Sequence, residues 1–185
     1  MQHTKAVTLA AASDEFTVTY LLENLPAGRE LHFAVELNFA GLAADAEDRF
    51  FSGLDGSRLG HLGTQLDLTD CEGLGVTDQA LGLALDLTLN RRGGIWAFPV
   101  QTVHPVEVHP AEGQPGTAQA ERIHQSVCVM PHWRVRGDAA GRWAVQMNLR
   151  AMTSQGLGSA AGPIAAVASS VRSSSPHAAA FLATR

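Results

Sequence analysis

Apolar and polar residues alternate along most of the first 150 positions of the chain. The clearest case is the stretch RELHFAVELNFA at residues 29–40. Successive side chains of a β-strand point to opposite faces, so a period of two predicts a strand with one buried face. The apolar side of this strand consists of Leu31, Phe33, Val35, Leu37 and Phe39. The other side carries Glu36 and Asn38, which either meet solvent or belong to a binding site.

The same period recurs in FTVTY (16–20), TQLDLTD (64–70), LGLALDLTLN (81–90), VCVMPHWRV (127–135) and RWAVQMNLR (142–150). So many alternating segments predict an all-β fold of antiparallel strands, arranged as a twisted β-sandwich of the supersandwich or jelly-roll-like kind. Only one short helix is expected before residue 150, in GLAADAEDRF (41–50) or VTDQALG (76–82). Three turn-rich segments, LDGSRLG (54–60), NRRGG (90–94) and RGDAAGR (136–142), are predicted to be hairpin connections.

Two segments lack this alternation. Residues 104–124, HPVEVHPAEGQPGTAQAERIH, contain three prolines and are predicted to form a long exposed loop. Residues 151–185 are rich in Ala and Ser and contain no acidic residue. Such a segment buries too little apolar surface to offset its ordering entropy, so we expect a disordered tail. The domain organisation predicted is a β-sandwich over residues 1–150 followed by this tail.

Charge and cysteine content narrow the range of partners. The chain has 18 acidic and 13 basic residues, and all the acids precede residue 151. A domain of net negative charge is poorly suited to a phosphate backbone, so no nucleic-acid partner is expected. No apolar run approaches the roughly 20 residues that span a bilayer, and no membrane partner is expected. The two cysteines form no framework of disulfides and no signal peptide is recognisable, which favours a cytoplasmic location.

Five stretches, taken in order, resemble the C-terminal domain of glycoside hydrolase family 57 enzymes of the α-amylase and 4-α-glucanotransferase type. They are LHFAVELNFA, DRFFSG, GVTDQALGLALDLTL, IWAFPVQTV and HQSVCVMPHWRV, and the resemblance covers about residues 5–150. It implies a galactose-mutarotase-like β-sandwich that packs on a catalytic barrel and helps to frame a glucan-binding cleft. The two catalytic carboxylates of such enzymes lie on the barrel. The resemblance therefore implies a non-catalytic accessory domain, inactive alone, whose partners are a separate barrel protein and an α-glucan or maltooligosaccharide.

Four residues are candidates for carbohydrate binding or domain contact. Trp96 lies opposite an apolar row and next to two glycines, so its indole is the best candidate for stacking on a sugar ring. Trp133 and Trp143 continue apolar stripes and are assigned to the core. Glu36 and Asn38 offer a carboxylate and an amide for sugar hydroxyls or for a barrel contact, and the alternative is a solvated face. His132 could pair with Glu36 as acid and base in a mutarotase-like mechanism.

No metal site and no cofactor are expected. His104, Glu107 and His109 are the weak metal candidates, because their spacing matches no established zinc motif. Glu36, Asp67, Asp70, Asp78 and Asp86 are available as carboxylates, but spacing nominates no catalytic pair among them. Beside the accessory domain, the sequence leaves open a free-standing carbohydrate-binding module, a mutarotase-like sugar epimerase and a purely structural remnant.

Overall fold

The computed structural model describes residues 1–44, 46–106 and 119–153. Within these ranges the chain forms ten β-strands and no helix, which confirms the all-β prediction. No helix in the described part has the length and apolar character needed to cross a membrane. The strands are β1 Gln2–Leu9, β2 Glu15–Glu23, β3 Leu31–Ala34, β4 Leu37–Ala40, β5 Arg49–Ser52, β6 Arg58–His61, β7 Leu66–Asp78, β8 Leu83–Val106, β9 Gln119–Val135 and β10 Trp143–Thr153.

All ten strands belong to one open antiparallel sheet. The main order is β1-β2-β10-β8-β7-β5-β6, while β9 pairs with β8 on one side and with β3 and β4 on the other. Strand β8 serves two neighbours in turn, because residues 83–89 pair with β10 and residues 94–106 pair with β9. The sheet therefore doubles over along β8 into two layers. We call β1, β2 and β10 with the first part of β8 the first layer, and β3, β4 and β9 with its second part the second layer.

A large bulge in β8 marks the passage between the layers. Opposite β7, Cys71 faces Gly93 while Gly73 faces Thr88, so residues 89–92 of β8 lie opposite Glu72 alone. Arg92 connects this bulge to β7. Its Nε lies 3.0 Å from Asp70 Oδ1 and its Nη1 lies 2.6 Å from Glu72 Oε1. Because a bulge bends and twists its strand, this one turns β8 from the first layer towards the second.

Aromatic side chains join the two layers at the centre. Phe33 of β3 lies edge-on to Tyr20 of β2 at a centroid distance of 5.4 Å and to Trp143 of β10 at 5.7 Å. Trp133 of β9 lies 5.7 Å from Trp143 and is only 5% exposed. Both tryptophans that were assigned to the core thus pack there. Rings at these separations and angles gain a favourable contact beyond the burial of their area.

Gly93 provides the space that Trp133 occupies. A Cβ added to Gly93 would lie 2.5 Å from Trp133 Nε1 and 2.8 Å from its Cδ1. The same indole donates a hydrogen bond from Nε1 to the carbonyl oxygen of Arg91, 3.1 Å away. The indole is therefore clamped against the backbone of the β8 bulge, and any side chain at residue 93 would displace it.

The stretch RELHFAVELNFA forms two short strands rather than one. Both β3 and β4 pair with β9 in a single register, with Leu31 opposite Val135 and Leu37 opposite Val129. The interruption falls at Val35, whose N–H donates to the carbonyl oxygen of Pro131 at 3.0 Å. Proline has no N–H to return this bond, so the ladder is broken there. The apolar side of the stretch packs on the core, as predicted.

The predicted helix is wrong at both positions. Residues 41–50 form turns and the start of β5 in their described part, and residues 76–78 complete β7. In the second case the residues after β7 form a single turn, in which the Gly82 N–H donates to the carbonyl oxygen of Gln79 at 3.1 Å and Asp78 Oδ1 accepts a hydrogen bond from the Leu81 N–H at 2.9 Å. Strand β8 begins at Leu83, so the chain returns to the sheet before a second helical turn can form.

Of the three predicted hairpin connections, only LDGSRLG is one, since it joins the paired strands β5 and β6. NRRGG lies inside β8, where its glycines face aromatic rings rather than forming a turn. RGDAAGR connects β9 to β10, which lie in different layers and are not hydrogen-bonded neighbours. Its turn is organised by Asp138, whose Oδ1 accepts hydrogen bonds from the N–H groups of Ala140 and Arg142.

The predicted loop 104–124 is shorter than expected. Residues 101–106 of β8 pair with residues 119–124 of β9 as a two-stranded arm, and its exposed apolar side chains include Val103 and Ile123. Residues 107–118 lie outside the described part. The predicted disordered tail, residues 151–185, begins too early, because strand β10 continues to Thr153. Residues 154–185 also lie outside the described part.

A buried ion pair anchors the far end of β7. Asp78 is 1% exposed, and its Oδ2 accepts a hydrogen bond from Arg49 Nε at 2.7 Å. Burial alone would raise the pKa of the Asp78 carboxyl. The hydrogen bonds from the Leu81 N–H and from the Arg49 guanidinium outweigh burial and hold that pKa below its ordinary value of 3.8. The carboxylate is therefore ionised at neutral pH, and its hydrogen bonds compensate for its desolvation.

Replacing Asp78 by Asn should lower the free energy of unfolding at pH 7 by about 2–4 kcal/mol, because Arg49 loses its charged partner. A lowered folded-state pKa stabilises the fold above about pH 4, and this contribution disappears as the pH falls through that pKa. The difference between wild type and Asp78→Asn should therefore shrink at pH 2–3 in urea titrations. Asp48, an exposed carboxylate 3.6 Å from Arg49, supplies the control: Asp48→Asn should change little at either pH. Equal stability of Asp78→Asn and wild type at pH 7 would contradict this account.

Gly93→Ala should destabilise the fold by about 1–3 kcal/mol, because the added methyl group forces Trp133 out of its place in the core. Gly94→Ala adds the same group on the opposite face of β8, against the ring of His132 rather than a core side chain. Its effect should be smaller, since that ring can move towards solvent. Thermal unfolding followed by near-ultraviolet circular dichroism measures both, and a larger loss for Gly94→Ala would refute the assignment.

Candidate functional site

A group of histidine, tryptophan and aspartate side chains projects from the outer face of the second layer, away from the core. Strand pairing brings four of them together on neighbouring strands, since Ala34 is opposite His132, His132 is opposite Gly94, and Trp96 is opposite Asp67. Each alternates with core residues along its own strand, which sends it outward. The four side chains are His32 of β3, His132 of β9, Trp96 of β8 and Asp67 of β7.

The three rings form one compact group. The imidazole of His132 stacks on the indole of Trp96, with a centroid distance of 4.0 Å and an angle of 27° between the planes. His32 lies edge-on to Trp96 at 5.4 Å and to His132 at 4.9 Å. His32 Nε2 and His132 Nδ1 are 3.0 Å apart, so one imidazole donates a hydrogen bond to the other. The group is therefore held by ring packing and by a hydrogen bond at once.

Gly94 makes this stack possible. A Cβ at residue 94 would lie 2.3 Å from both Cε1 and Nε2 of His132. The imidazole thus lies directly over the glycine backbone and beside the indole two residues further along β8. His132 Nε2 is buried there and has no hydrogen-bond partner within the described residues. This nitrogen is covered by the backbone of Gly94.

Both histidines are uncharged at neutral pH. Burial lowers the pKa of His32, and the nearby charge of Arg134 lowers it further. Burial also lowers the pKa of His132, and repulsion from His32 lowers it further. The carboxylate of Asp67 raises that pKa, but by less. Two neutral imidazoles can share one hydrogen bond, whereas two protonated ones would repel. The pair therefore presents aromatic surface and neutral polar atoms.

Asp67 fixes the indole. Trp96 Nε1 donates a hydrogen bond to Asp67 Oδ1 at 3.1 Å across the β7–β8 ladder. The indole is held on its nitrogen side by a carboxylate and on its ring by an imidazole, so its orientation is determined before any ligand arrives. Preorganisation of this kind reduces the entropy lost on binding.

An open groove of about 450 Å³ runs along these residues. We call it the indole groove. Aromatic rings, carboxylates and guanidinium groups share its surface, which is the mixture of apolar area and a few polar groups found in small-molecule sites. The residues that matter here are His32, Asp67, Arg92, Trp96, His132 and Arg134.

The four predicted site residues divide into two pairs. Trp96 and His132 line the indole groove together. Glu36 and Asn38 lie on the same outer face but are exposed, and Asn38 Nδ2 donates a hydrogen bond to Glu36 Oε1 at 2.6 Å. Neither of them is among the residues that line the groove. On the polar side of RELHFAVELNFA, Glu36 and Asn38 therefore form an exposed carboxylate–amide pair outside the indole groove.

Sequence reasoning missed His32 as a site residue and gave Asp67 no specific role. His32 belongs to the polar side of RELHFAVELNFA, so the alternation placed it on the correct face. What the sequence did not supply was the pairing of β3 with β9, which brings His32 to His132. Without that register no signal distinguishes it from a solvated histidine.

Of the weak metal candidates, the structure describes only His104, which lies far from His132. His104 is exposed on the two-stranded arm, opposite Glu121, while His132 lies at the other end of β9, opposite Gly94. Glu107 and His109 lie outside the described residues. Within the part of the chain that the structure describes, no three His, Cys, Asp or Glu side chains are grouped as metal ligands.

Four of the five carboxylates considered as catalytic residues have hydrogen-bond partners. Asp67 binds Trp96, Asp70 binds Arg92, Asp78 binds Arg49, and Glu36 accepts a hydrogen bond from Asn38. The first three contacts hold β7 to its neighbours and orient the indole. The arrangement is suited to binding a ligand on a rigid face.

Comparison with known proteins supports one family. No curated protein and no solved structure gave a significant match to the chain. A family model described as "Alpha-amylase/4-alpha-glucanotransferase, C-terminal" matches residues 1–147, which include nine complete strands and the whole indole groove. The chain therefore belongs to the family of alpha-amylase/4-alpha-glucanotransferase C-terminal domains.

Proposed function

We propose that this chain is a non-catalytic accessory domain of an α-glucan-active glycosidase or glucanotransferase, and that it contacts glucan through the indole groove. The observation that carries the proposal is the Trp96–His132–His32 group, which lies preorganised in an open groove of a domain of this family. Pyranose rings have apolar faces and a belt of hydroxyls. Aromatic surface with flanking carboxylates and neutral imidazoles suits both features.

A catalytic barrel is the second partner in this proposal. The exposed Glu36–Asn38 pair lies on the same face as the groove, so a barrel that docks there would place the groove at the border of its own cleft. We assign the barrel to glycoside hydrolase family 57 on the resemblance of the five stretches quoted above. A cytoplasmic location fits the two unpaired cysteines, Cys71 and Cys128.

A free-standing carbohydrate-binding module would use the same groove and differs only in needing no barrel. Co-purification of a barrel protein with the chain distinguishes the two, since only the accessory domain requires it.

A sugar epimerase is less well supported. It needs an acid and a base that face one sugar ring. His132 uses Nδ1 for His32 and has a buried Nε2, so neither nitrogen is presented for proton transfer.

Trp96→Ala should weaken the binding of maltoheptaose by about tenfold, because loss of the stacking indole removes on the order of 1.4 kcal/mol. Isothermal titration calorimetry or affinity electrophoresis on starch gels measures the change. His104→Ala alters an exposed ring on the two-stranded arm and should bind like wild type. Unchanged affinity of Trp96→Ala, or no binding by wild type, would remove the support for glucan contact.

The purified chain should release no reducing sugar from maltooligosaccharides and transfer no glucosyl units between them. The reason is that Asp67, Asp70 and Asp78 are engaged in orienting neighbouring side chains and strands, and the catalytic carboxylates of the proposed enzyme belong to its barrel. A reducing-sugar assay combined with chromatography of the products tests this. Turnover that co-elutes with the chain in size-exclusion chromatography would overturn the non-catalytic role, whereas turnover that separates from it belongs to a contaminating enzyme.

A further inference from the structure

A second groove adjoins the first. It has a volume of about 660 Å³ and lies between the β5–β6 hairpin and the first half of β7, so we call it the hairpin groove. Asp67, Thr69 and Arg92 line both grooves. The two grooves therefore border each other at these three residues.

The hairpin groove has its own mixture of apolar and polar surface. Leu54 is 46% exposed at its wall, and Leu59 also lines it. Asp55 and Glu72 supply carboxylates, and Ser57 supplies a hydroxyl group. Apolar side chains next to carboxylates and hydroxyls are again suited to a ligand with apolar faces and many hydroxyls.

The hairpin that forms this groove is preorganised. Asp55 Oδ1 accepts hydrogen bonds from the Ser57 N–H at 3.0 Å and from Ser57 Oγ at 2.6 Å. The Gly53 N–H donates to the carbonyl oxygen of Ser57 at 2.8 Å. The turn that carries Leu54 is thus closed by its own hydrogen bonds, and a ligand meets a wall that is already formed.

Arg92 marks the junction between the grooves. Its guanidinium donates hydrogen bonds to Asp70 and to Glu72, and Asp70 has a left-handed backbone with φ of 53°. A non-glycine residue in that conformation is uncommon in a strand and indicates a backbone determined by its surroundings. The guanidinium therefore lies between the two grooves, in contact with both carboxylates.

Charge selects the class of ligand. Three carboxylates, those of Asp55, Asp67 and Glu72, line the hairpin groove against the single guanidinium of Arg92. This surplus of negative charge disfavours a phosphorylated or carboxylated sugar. A neutral oligosaccharide carries no such penalty.

We propose that the hairpin groove is a second glucan subsite. One linear neutral oligosaccharide then spans both grooves and lies over Asp67 and Arg92 between them. The inference rests on the proposed glucan contact of the indole groove and adds a dependence on chain length. A short maltooligosaccharide such as maltotriose occupies the indole groove alone. Maltoheptaose reaches the wall formed by Leu54.

The test compares the affinities of maltotriose and maltoheptaose for wild type, Leu54→Ala and Leu81→Ala by isothermal titration calorimetry. Leu81 is another exposed leucine, 63% accessible, in the turn between β7 and β8, so its variant controls for the loss of an exposed leucine elsewhere. Leu54→Ala should reduce the ratio of the maltoheptaose to the maltotriose affinity about fivefold and leave the maltotriose affinity unchanged. Leu81→Ala should keep the wild-type ratio.

The ratio within each variant is the decisive quantity, because a longer glucan also binds more tightly by offering more registers to a single site. An unchanged ratio in Leu54→Ala would overturn the second subsite. If maltotriose still binds and Trp96→Ala still weakens it, the proposed function survives that result. Absence of binding of both sugars by wild type would overturn the proposed function and the second subsite with it.

Discussion

The architecture depends on how two consecutive glycines of β8 meet two consecutive rings of β9. Gly93 lies beneath the indole of Trp133 on the core side, and Gly94 lies beneath the imidazole of His132 on the outer side. Because neighbouring residues of a strand point to opposite faces, a Gly-Gly pair opens space on both faces at one point. That point is where β8 changes layers, so the same dipeptide permits the core and the candidate site.

This shared origin explains why the groove is rigid. Trp133 is fixed by the core and by its bond to the Arg91 carbonyl, and His132 is the preceding residue on the same strand. The indole of Trp96 then rests on His132 and is tethered to Asp67. The site is built on strands throughout, and its precision comes from the packing of the layer below it.

Alternation in the sequence was sufficient for the class of fold and for much of the core. It separated Trp133 and Trp143 from Trp96, and it placed Glu36, Asn38 and His32 on one face. It was insufficient wherever an outcome depended on pairing between distant strands. The glycines of NRRGG were interpreted as a turn because glycine commonly marks one, yet their role is to make room for rings that lie almost 40 residues later in the chain. RGDAAGR was misassigned for a related reason, since turn chemistry does not reveal whether the flanking strands share a layer.

Two arginine clamps hold β7 between β5 and β8, and they differ in physical character. Arg92 binds Asp70 and Glu72 at the surface, where water and salt screen the charges and each pair contributes little to stability. Arg49 binds the buried Asp78, where loss of either partner leaves an uncompensated charge. The buried clamp therefore secures the strand, and the exposed one is free to serve as the junction between two grooves. A charged group that contributes little to folding can contact a ligand without lowering the stability of the fold. Arg92 of β8 is such a group.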